Sequence, residues 1–393
     1  MQKRVAIYDP YLDTLGGGER YCLTIAEILL KKGYKVDLFW SGSDSLVEKA
    51  EKRFSLDLKG LKIVPDIFEI KPRTLELIEE SRIFSKFISH AINPKKIHFK
   101  FKKLFKKLKT TSKYDIIFYI SDGSIPFLFG KKNYLHIQVP FVKTLNRFKN
   151  IMEQPKLKMI SNIICNSQFT SKFQKGIFKN KTLVLYPPVD VDKFKVSHQK
   201  ENIILSVGRF DNILNAKKQD VLIDAFESLV KENGVDGWKL VLAGGSLIDP
   251  DKNLYLKCLY QKAQGLPISF VVNPQFTDLQ KIYSESKIYW HAAGFEVDEE
   301  IHPENTEHFG MTIVEAMASG LVPVVVSQGG IPEIVENGVN GFLWSSLEEL
   351  ILKTKKLIEN PENLKLMSQQ SIINCRQFSK ENFEKRLLAI IEG

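Results

Sequence analysis

The chain has 393 residues, too long for one ordinary domain and a suitable length for two. With 44% hydrophobic and 26% charged residues it has the composition of a soluble globular protein rather than a disordered or fibrous one, and no apolar run approaches the roughly 18 residues that span a bilayer. Cys22, Cys165, Cys258 and Cys375 lie far apart without metal-ligand spacing, and the N-terminus enters a strand at Val5 with no leader before it, so a reduced, cytoplasmic protein is expected.

Residues 4–8 read as a strand, Gly16-Gly17-Gly18 as a loop, 19–32 as an amphipathic helix and 35–40 as a second strand. Glycine at a helix entry lets backbone approach a phosphate or sugar closely. The loop is not G-x-G-x-x-G, and Trp40-Ser41 replaces the acidic residue that would hold an NAD ribose, so a dinucleotide dehydrogenase is disfavoured. The net charge of +10 is concentrated: between Glu80 and Asp115 there are 11 Lys and Arg and no acidic residue. Within that run, segment 95–109 places Phe101, Leu104, Phe105 and Leu108 on one helical stripe with most lysines elsewhere. Such a basic amphipathic helix suits an anionic membrane surface, though a surface helix packing on its own domain has the same pattern. No nucleic-acid motif accompanies it, so nucleic acid is not expected as a partner.

Residues 114–121 and 134–139 read as buried strands. Asp122, just past the first, could orient a hydroxyl or simply form the turn before Gly123; His136, in the second, could line a cleft or sit in the core. Strand 163–166, helix 167–178 and strand 183–185 follow, and Tyr186-Pro187-Pro188 cannot continue a sheet. A first domain over 1–198 and a second over 199–379 are expected, with helix 380–393 crossing back onto the first.

The second domain repeats the alternation, with strands at 203–208, 239–243, 268–271 and 288–290 and helices at 220–232, 251–264 and 278–285. Arg209 directly after a strand and Lys217 at the next helix entry put two cations at the carboxyl end of a parallel sheet, where α/β folds bind ligands. Read without that context, both are plain surface charges. The acidic stretch Glu296–Glu304 reads chiefly as a solvated loop, and the spacing of His291, His302 and His308 matches no metal motif.

Next come Glu307 and Glu315, eight positions apart, with His308-Phe309-Gly310 between them and A-M-A-S-G-L-V-P-V-V-V after the second. A helix from about 312, a left-handed cap at Gly320 and a strand from Pro323 are expected. The free N–H groups of Phe309, Gly310 and Met311 would make an anion or hydroxyl site beside Glu307. Glu307 could instead only cap the helix, and Glu315 be an ordinary solvated glutamate.

The string E-x7-E followed by A-M-A-x-G-x-x-P-V-V resembles the signature of family 4 glycosyltransferases. The resemblance implies the GT-B fold, an α/β architecture of two Rossmann-like, doubly wound parallel-sheet domains facing across a cleft. It also implies that Glu307 and the amides of Phe309, Gly310 and Met311 hold the donor sugar, that Glu315 holds the donor ribose, and that Arg209 and Lys217 hold the nucleotide diphosphate. Gly17 and Gly18 would lie near the donor phosphates and the acceptor. Lys218 stands where the family has a glycine, and Asp122 where many members have a histidine, which puts a histidine role in doubt.

The expected function is therefore retaining transfer of a hexose, mannose favoured, from a GDP- or UDP-linked donor to a glycan or polyprenyl-linked acceptor, without a metal or other cofactor. G-G-G-E-R, S-D-G, the histidine-to-proline spacing near residue 136 and E-H-F-G more loosely resemble mannosyltransferases that extend lipid-linked oligosaccharides. The location expected is the cytoplasm, with attachment to the cytoplasmic face of a membrane left open. Two alternatives stand: an epimerase of nucleotide sugars on the same fold, or a membrane-surface binding protein on a degenerate transferase fold.

Overall fold

In a computed structural model the chain is described at residues 2–43, 45–68, 94–121, 123–140, 147–174, 180–211, 216–246 and 248–393, with backbone alone at 94–101 and 147–152. Asp122 lies outside the described residues, as does the run 69–93 that opens the basic segment.

Contacts divide the chain into two compact units: residues 1–138, 143–165 and 174–185, and residues 139–142, 166–173 and 186–393. The sequence boundary at 198/199 thus lies thirteen residues later than the observed one at Leu185/Tyr186. Aromatic packing accounts for the difference, because the Tyr186 ring sits 5.6 Å from Phe309 and 5.2 Å from Phe378, both in the second unit. Residues 166–173 join that unit because the Glu333 carboxylate accepts the N–H groups of Gln168 and Phe169, each at 2.7 Å. Helix Lys380–Glu392, expected on the first domain, groups with the second, where the N–H of Lys380 donates to Val189.

The first unit holds a seven-stranded sheet: β1 (Arg4–Tyr8), β2 (Lys35–Phe39), β3 (Lys62–Val64), β4 (Ile116–Ile120), β5 (Lys132–Ile137), β6 (Asn162–Cys165) and β7 (Thr182–Val184). Its spatial order is β3-β2-β1-β4-β5-β6-β7, and every pairing is parallel. Strands such as Ile116–Ile120 are buried on both faces, as a parallel sheet between helices requires. Helix Gly17–Lys31 follows β1, and helix Pro94–Thr111 carries the basic segment. On that helix Phe105 is 68% exposed and Leu108 is exposed too, so part of the apolar stripe is not packed on its own unit.

The second unit holds β8 (Ile203–Val207), β9 (Lys239–Gly244), β10 (Ile268–Val272), β11 (Ile288–His291), β12 (Val322–Val326) and β13 (Phe342–Trp344). They pair in the order β10-β9-β8-β11-β12-β13, again all parallel. Helices Gln219–Lys231, Met311–Ala318 and Leu347–Glu359 bury their apolar faces in this unit's core. The helix expected from about 312 runs Met311–Ala318, and Gly320 takes the left-handed φ of 72° that ends it.

Candidate functional site

Chain order reverses in the second sheet between β8 and β11, the point at whose carboxyl side open α/β sheets bind ligands. β8 ends on Val207, with Gly208 and Arg209 next, and β11 ends on His291. The 294–310 segment returns to the same end, where helix Met311–Ala318 starts behind Gly310, whose φ of 110° favours glycine.

Glu307 is the centre of this cluster. Lys217 Nζ donates to its Oε2 at 2.7 Å, and His291 Nε2 stands 3.1 Å from the same oxygen. The Lys217 and Glu307 side chains are only 16% and 14% exposed, so the pair is largely withdrawn from water. Burial by itself would raise the Glu307 carboxyl, but the Lys217 ammonium and the His291 ring outweigh it and hold the group well below the usual carboxylate range. Burial also lowers His291, against the pull of Glu307, and takes the His308 ring down to about 4, so both imidazoles are neutral at pH 7. A neutral His291 facing an ionised carboxylate donates through Nε2–H.

Gly208 is required here by close approach: a Cβ on it would meet Lys217 Cγ at 2.6 Å, so the lysine stem lies across the end of β8. Lys218 starts the helix that follows with a φ of 54°, the left-handed conformation that suits the glycine it replaces. Arg209 does not join Glu307. Its Nε lies 3.3 Å from Asp211 Oδ2, and its side chain is 47% exposed at the rim.

Glu315 is buried rather than solvated. Its Oε2 lies 3.3 Å from the donating Tyr283 hydroxyl, on the helix whose first turn carries the amides of Met311 and Thr312. Phe309 is buried against Tyr186 and Phe378, which fixes the chain entering Gly310. The turn Gly329-Gly330 braces the loop from the other side, with the Gly330 N–H donating to Glu307 O at 2.8 Å and the Gly329 N–H to Glu299 Oε2 at 2.9 Å. The acidic stretch is therefore partly structural, since Glu299 ties that turn and Glu300 pairs with Lys172. Among the described residues no three His, Cys, Asp or Glu side chains converge as a metal would need.

The sequence-based site residues of the first unit are described within that unit. Gly17 and Gly18 open helix Gly17–Lys31, and a Cβ on Gly18 would come 2.1 Å from Gln138 Oε1. Gln138 Nε2 in turn donates to Gly18 O at 3.3 Å, so this glycine accommodates a neighbouring side chain that the sequence reading left out. The Gly16 N–H is taken by Glu19 Oε2 at 2.5 Å, which also accepts from Thr14 Oγ1 at 2.7 Å. His136 is buried in the first unit, its Nδ1 donating to Ile164 O at 3.1 Å and its ring stacked 4.2 Å from Tyr21. Burial drives that imidazole down to about 3. The ring is buried inside the first unit, with Nδ1 satisfied and Nε2 without a partner among the described residues.

Sequence reading also passed over His291 as a partner for Glu307, weighing it only as a metal ligand. Its available signal was position: the last residue of a strand at the reversal of strand order.

Residues 189–373, all within the second unit, match the family described as glycosyl transferases group 1. The chain is 29% identical over 250 residues to the Xenopus laevis GDP-Man:Man(3)GlcNAc(2)-PP-Dol alpha-1,2-mannosyltransferase, a match covering 58% of this chain and 48% of that protein. The chain thus spans about half the length of such curated relatives. A Haemophilus influenzae protein described as an uncharacterized glycosyltransferase is 24% identical over 399 residues, covering 96% of this chain and 97% of that one. The crystal structure of a glycosyltransferase from Rickettsia africae ESF-5 superposes with a TM-score of 0.72 at 18% identity, covering 100% of this chain and 98% of that one. Two Rossmann-like units of parallel strands with such neighbours are the GT-B fold.

Proposed function

We propose that this protein is a glycosyltransferase that moves a hexose, with mannose favoured, from a nucleotide-sugar donor to a glycan or lipid-linked acceptor. The observation that carries the proposal is the ionised Glu307, held by Lys217 and His291 beside a helix N-terminus at the strand-order reversal of a glycosyl transferases group 1 domain. The Xenopus laevis relative, whose name specifies GDP-mannose and a dolichyl-linked glycan, supports GDP-mannose over UDP-sugars and a polyprenyl-linked acceptor.

In this reading Glu307 accepts hydroxyls of the donor sugar, and Glu315 accepts from the ribose. As the bond from C1 to the phosphate oxygen breaks, negative charge grows on the departing nucleoside diphosphate. Lys217, Arg209 and the amides at 309–311 are preorganised donors for that charge, so the leaving group needs no metal. The acceptor oxygen attacks C1 from the face being vacated, its proton passes to a phosphate oxygen, and the anomeric configuration is retained. Asp122, Gly17 and Gly18 are assigned to the acceptor and phosphate side.

Membrane attachment belongs to the same proposal. No helix among the described residues is long and apolar enough to cross a bilayer, and the basic helix Pro94–Thr111 leaves Phe105 and Leu108 uncovered, which suits peripheral binding to an anionic cytoplasmic leaflet.

The test is transfer from labelled GDP-mannose or UDP-glucose to a polyprenyl-pyrophosphate oligosaccharide with EDTA present. Solvent-extractable, α-linked product supports the proposal. Interconversion of the nucleotide sugar without acceptor would instead identify an epimerase, and binding to vesicles with neither reaction a degenerate transferase.

A further inference from the structure

Two donors converge on a single oxygen of Glu307. Lys217 Nζ and His291 Nε2 both reach Oε2, at 2.7 and 3.1 Å, and among the described residues none donates to Oε1. A carboxylate held this way has one oxygen fixed by the protein and the other left to accept from a ligand.

The two donors differ in kind. Lys217 is an ammonium on a four-carbon stem, with three N–H groups that can be shared or redirected. It is also the cation assigned to the donor diphosphate, so a bound anion competes with Glu307 for it. His291 cannot be redirected in this way. It is the last residue of β11, in register with Val325 of β12, and only 2% exposed. Its ring stands roughly parallel to that of Tyr289, with centroids 6.4 Å apart. Because it is neutral, it positions the carboxylate without burying a second cation beside Lys217.

We propose that His291 is a positioning residue that holds Glu307 through Oε2, aims Oε1 at the donor sugar, and keeps it aimed when Lys217 turns to the diphosphate. The inference rests on the assignment of Glu307 to the sugar. His291 contributes to recognition of the sugar and not of the nucleotide, which separates it from a residue that merely stabilises the fold.

The experiment is calorimetric titration of the full chain with GDP and GDP-mannose, and with UDP and UDP-glucose, using wild type, His291→Phe, His291→Leu and His291→Gln. Phe and Leu supply two differently shaped apolar replacements in case one fails to fold, as judged by thermal unfolding. Glutamine can carry an amide N–H to about the position of Nε2. The expected result is an unchanged affinity for the free nucleotide and an affinity for the nucleotide sugar roughly tenfold lower in the apolar variants, the size of one lost hydrogen bond to a charged group, with most of it restored by glutamine. Equal weakening of nucleotide and nucleotide sugar, or no weakening of either, would overturn the proposal. Failure of the underlying assignment looks different: wild type would then bind nucleotide and nucleotide sugar alike, and Glu307→Gln would not change their ratio.

Discussion

The two units each place a glutamate at a glycine-bearing helix entry, and their surroundings shift the two carboxyls in opposite directions. In the first unit Glu19 turns back on its own helix, accepting from the Gly16 N–H and Thr14, with the buried carboxyl of Asp9 nearby. Burial raises both groups, and their mutual repulsion raises Asp9 further. In the second unit Glu307 meets Lys217 and His291 and is held well below the usual range. The same local pattern of glycine, helix start and glutamate therefore makes a self-capped entry in one case and a carboxylate held by a lysine and a histidine in the other. What separates them is a lysine placed 90 residues earlier in sequence and a histidine at a strand end.

The sharpest way to break this contrast is to remove the cation. Lys217→Met leaves Glu307 buried beside a neutral ring and removes one donor to the leaving diphosphate. Transfer should fall by about 10²–10³-fold, measured as initial rate at saturating acceptor. The melting temperature should fall with it, because an uncompensated buried carboxylate is costly.

Backbone geometry gives the next largest effect. In the second unit a Cβ on Gly330 would come 2.4 Å from the His308 carbonyl, which cannot move without shifting the Glu307 loop. Gly330→Ala should cost about 2–3 kcal/mol in urea unfolding. In the first unit Gly18→Ala meets the far end of the Gln138 side chain, which can rotate away, so about 1 kcal/mol or less is expected.

The smallest effect is a difference of sign in pH dependence. For Asp9 and Glu19 the folded state binds protons more tightly than the unfolded chain. Their contribution is fully present below the ordinary carboxylate range and is lost as pH rises through their raised values. Glu307 behaves oppositely, its contribution being present above the ordinary range and lost on acidification through its lowered value. Asp9→Asn should therefore gain melting temperature relative to wild type as pH goes from 4 to 8, whereas Glu307→Gln should lose it. Parallel curves for the two variants would remove the contrast.

Much of this was legible in the sequence because parallel sheets are periodic and buried. Val324-Val325-Val326, Ile116–Ile120 and the helix closed by Gly320 follow from β-branched runs, apolar spacing and a left-handed glycine. The association of Lys217 with Glu307 was legible only through resemblance to a family, since no local pattern links residues so far apart. His291, Gln138 and Glu333 went unread as partners for a related reason. Each acts through a contact made by tertiary folding, with Glu307, Gly18 and the amides of Gln168 and Phe169 respectively. The inward turn of Glu19 was not legible, because a glycine N-cap offers no side-chain signal for a capping box. The Pro187-Pro188 segment marked a boundary, but the aromatic contacts of Tyr186 set where the division falls.

The central claim is that the second unit receives a nucleotide sugar between Lys217, Glu307 and Glu315. It is tested most directly by thermal unfolding of wild type and Glu315→Ala in the presence of GDP, UDP, ADP and their common sugar conjugates. The account predicts a rise in melting temperature with one nucleotide family, largest for GDP and GDP-mannose, and loss of that rise in Glu315→Ala as the buried acceptor for the ribose disappears. No rise with any nucleotide at millimolar concentration, or the same rise in the variant, would contradict it.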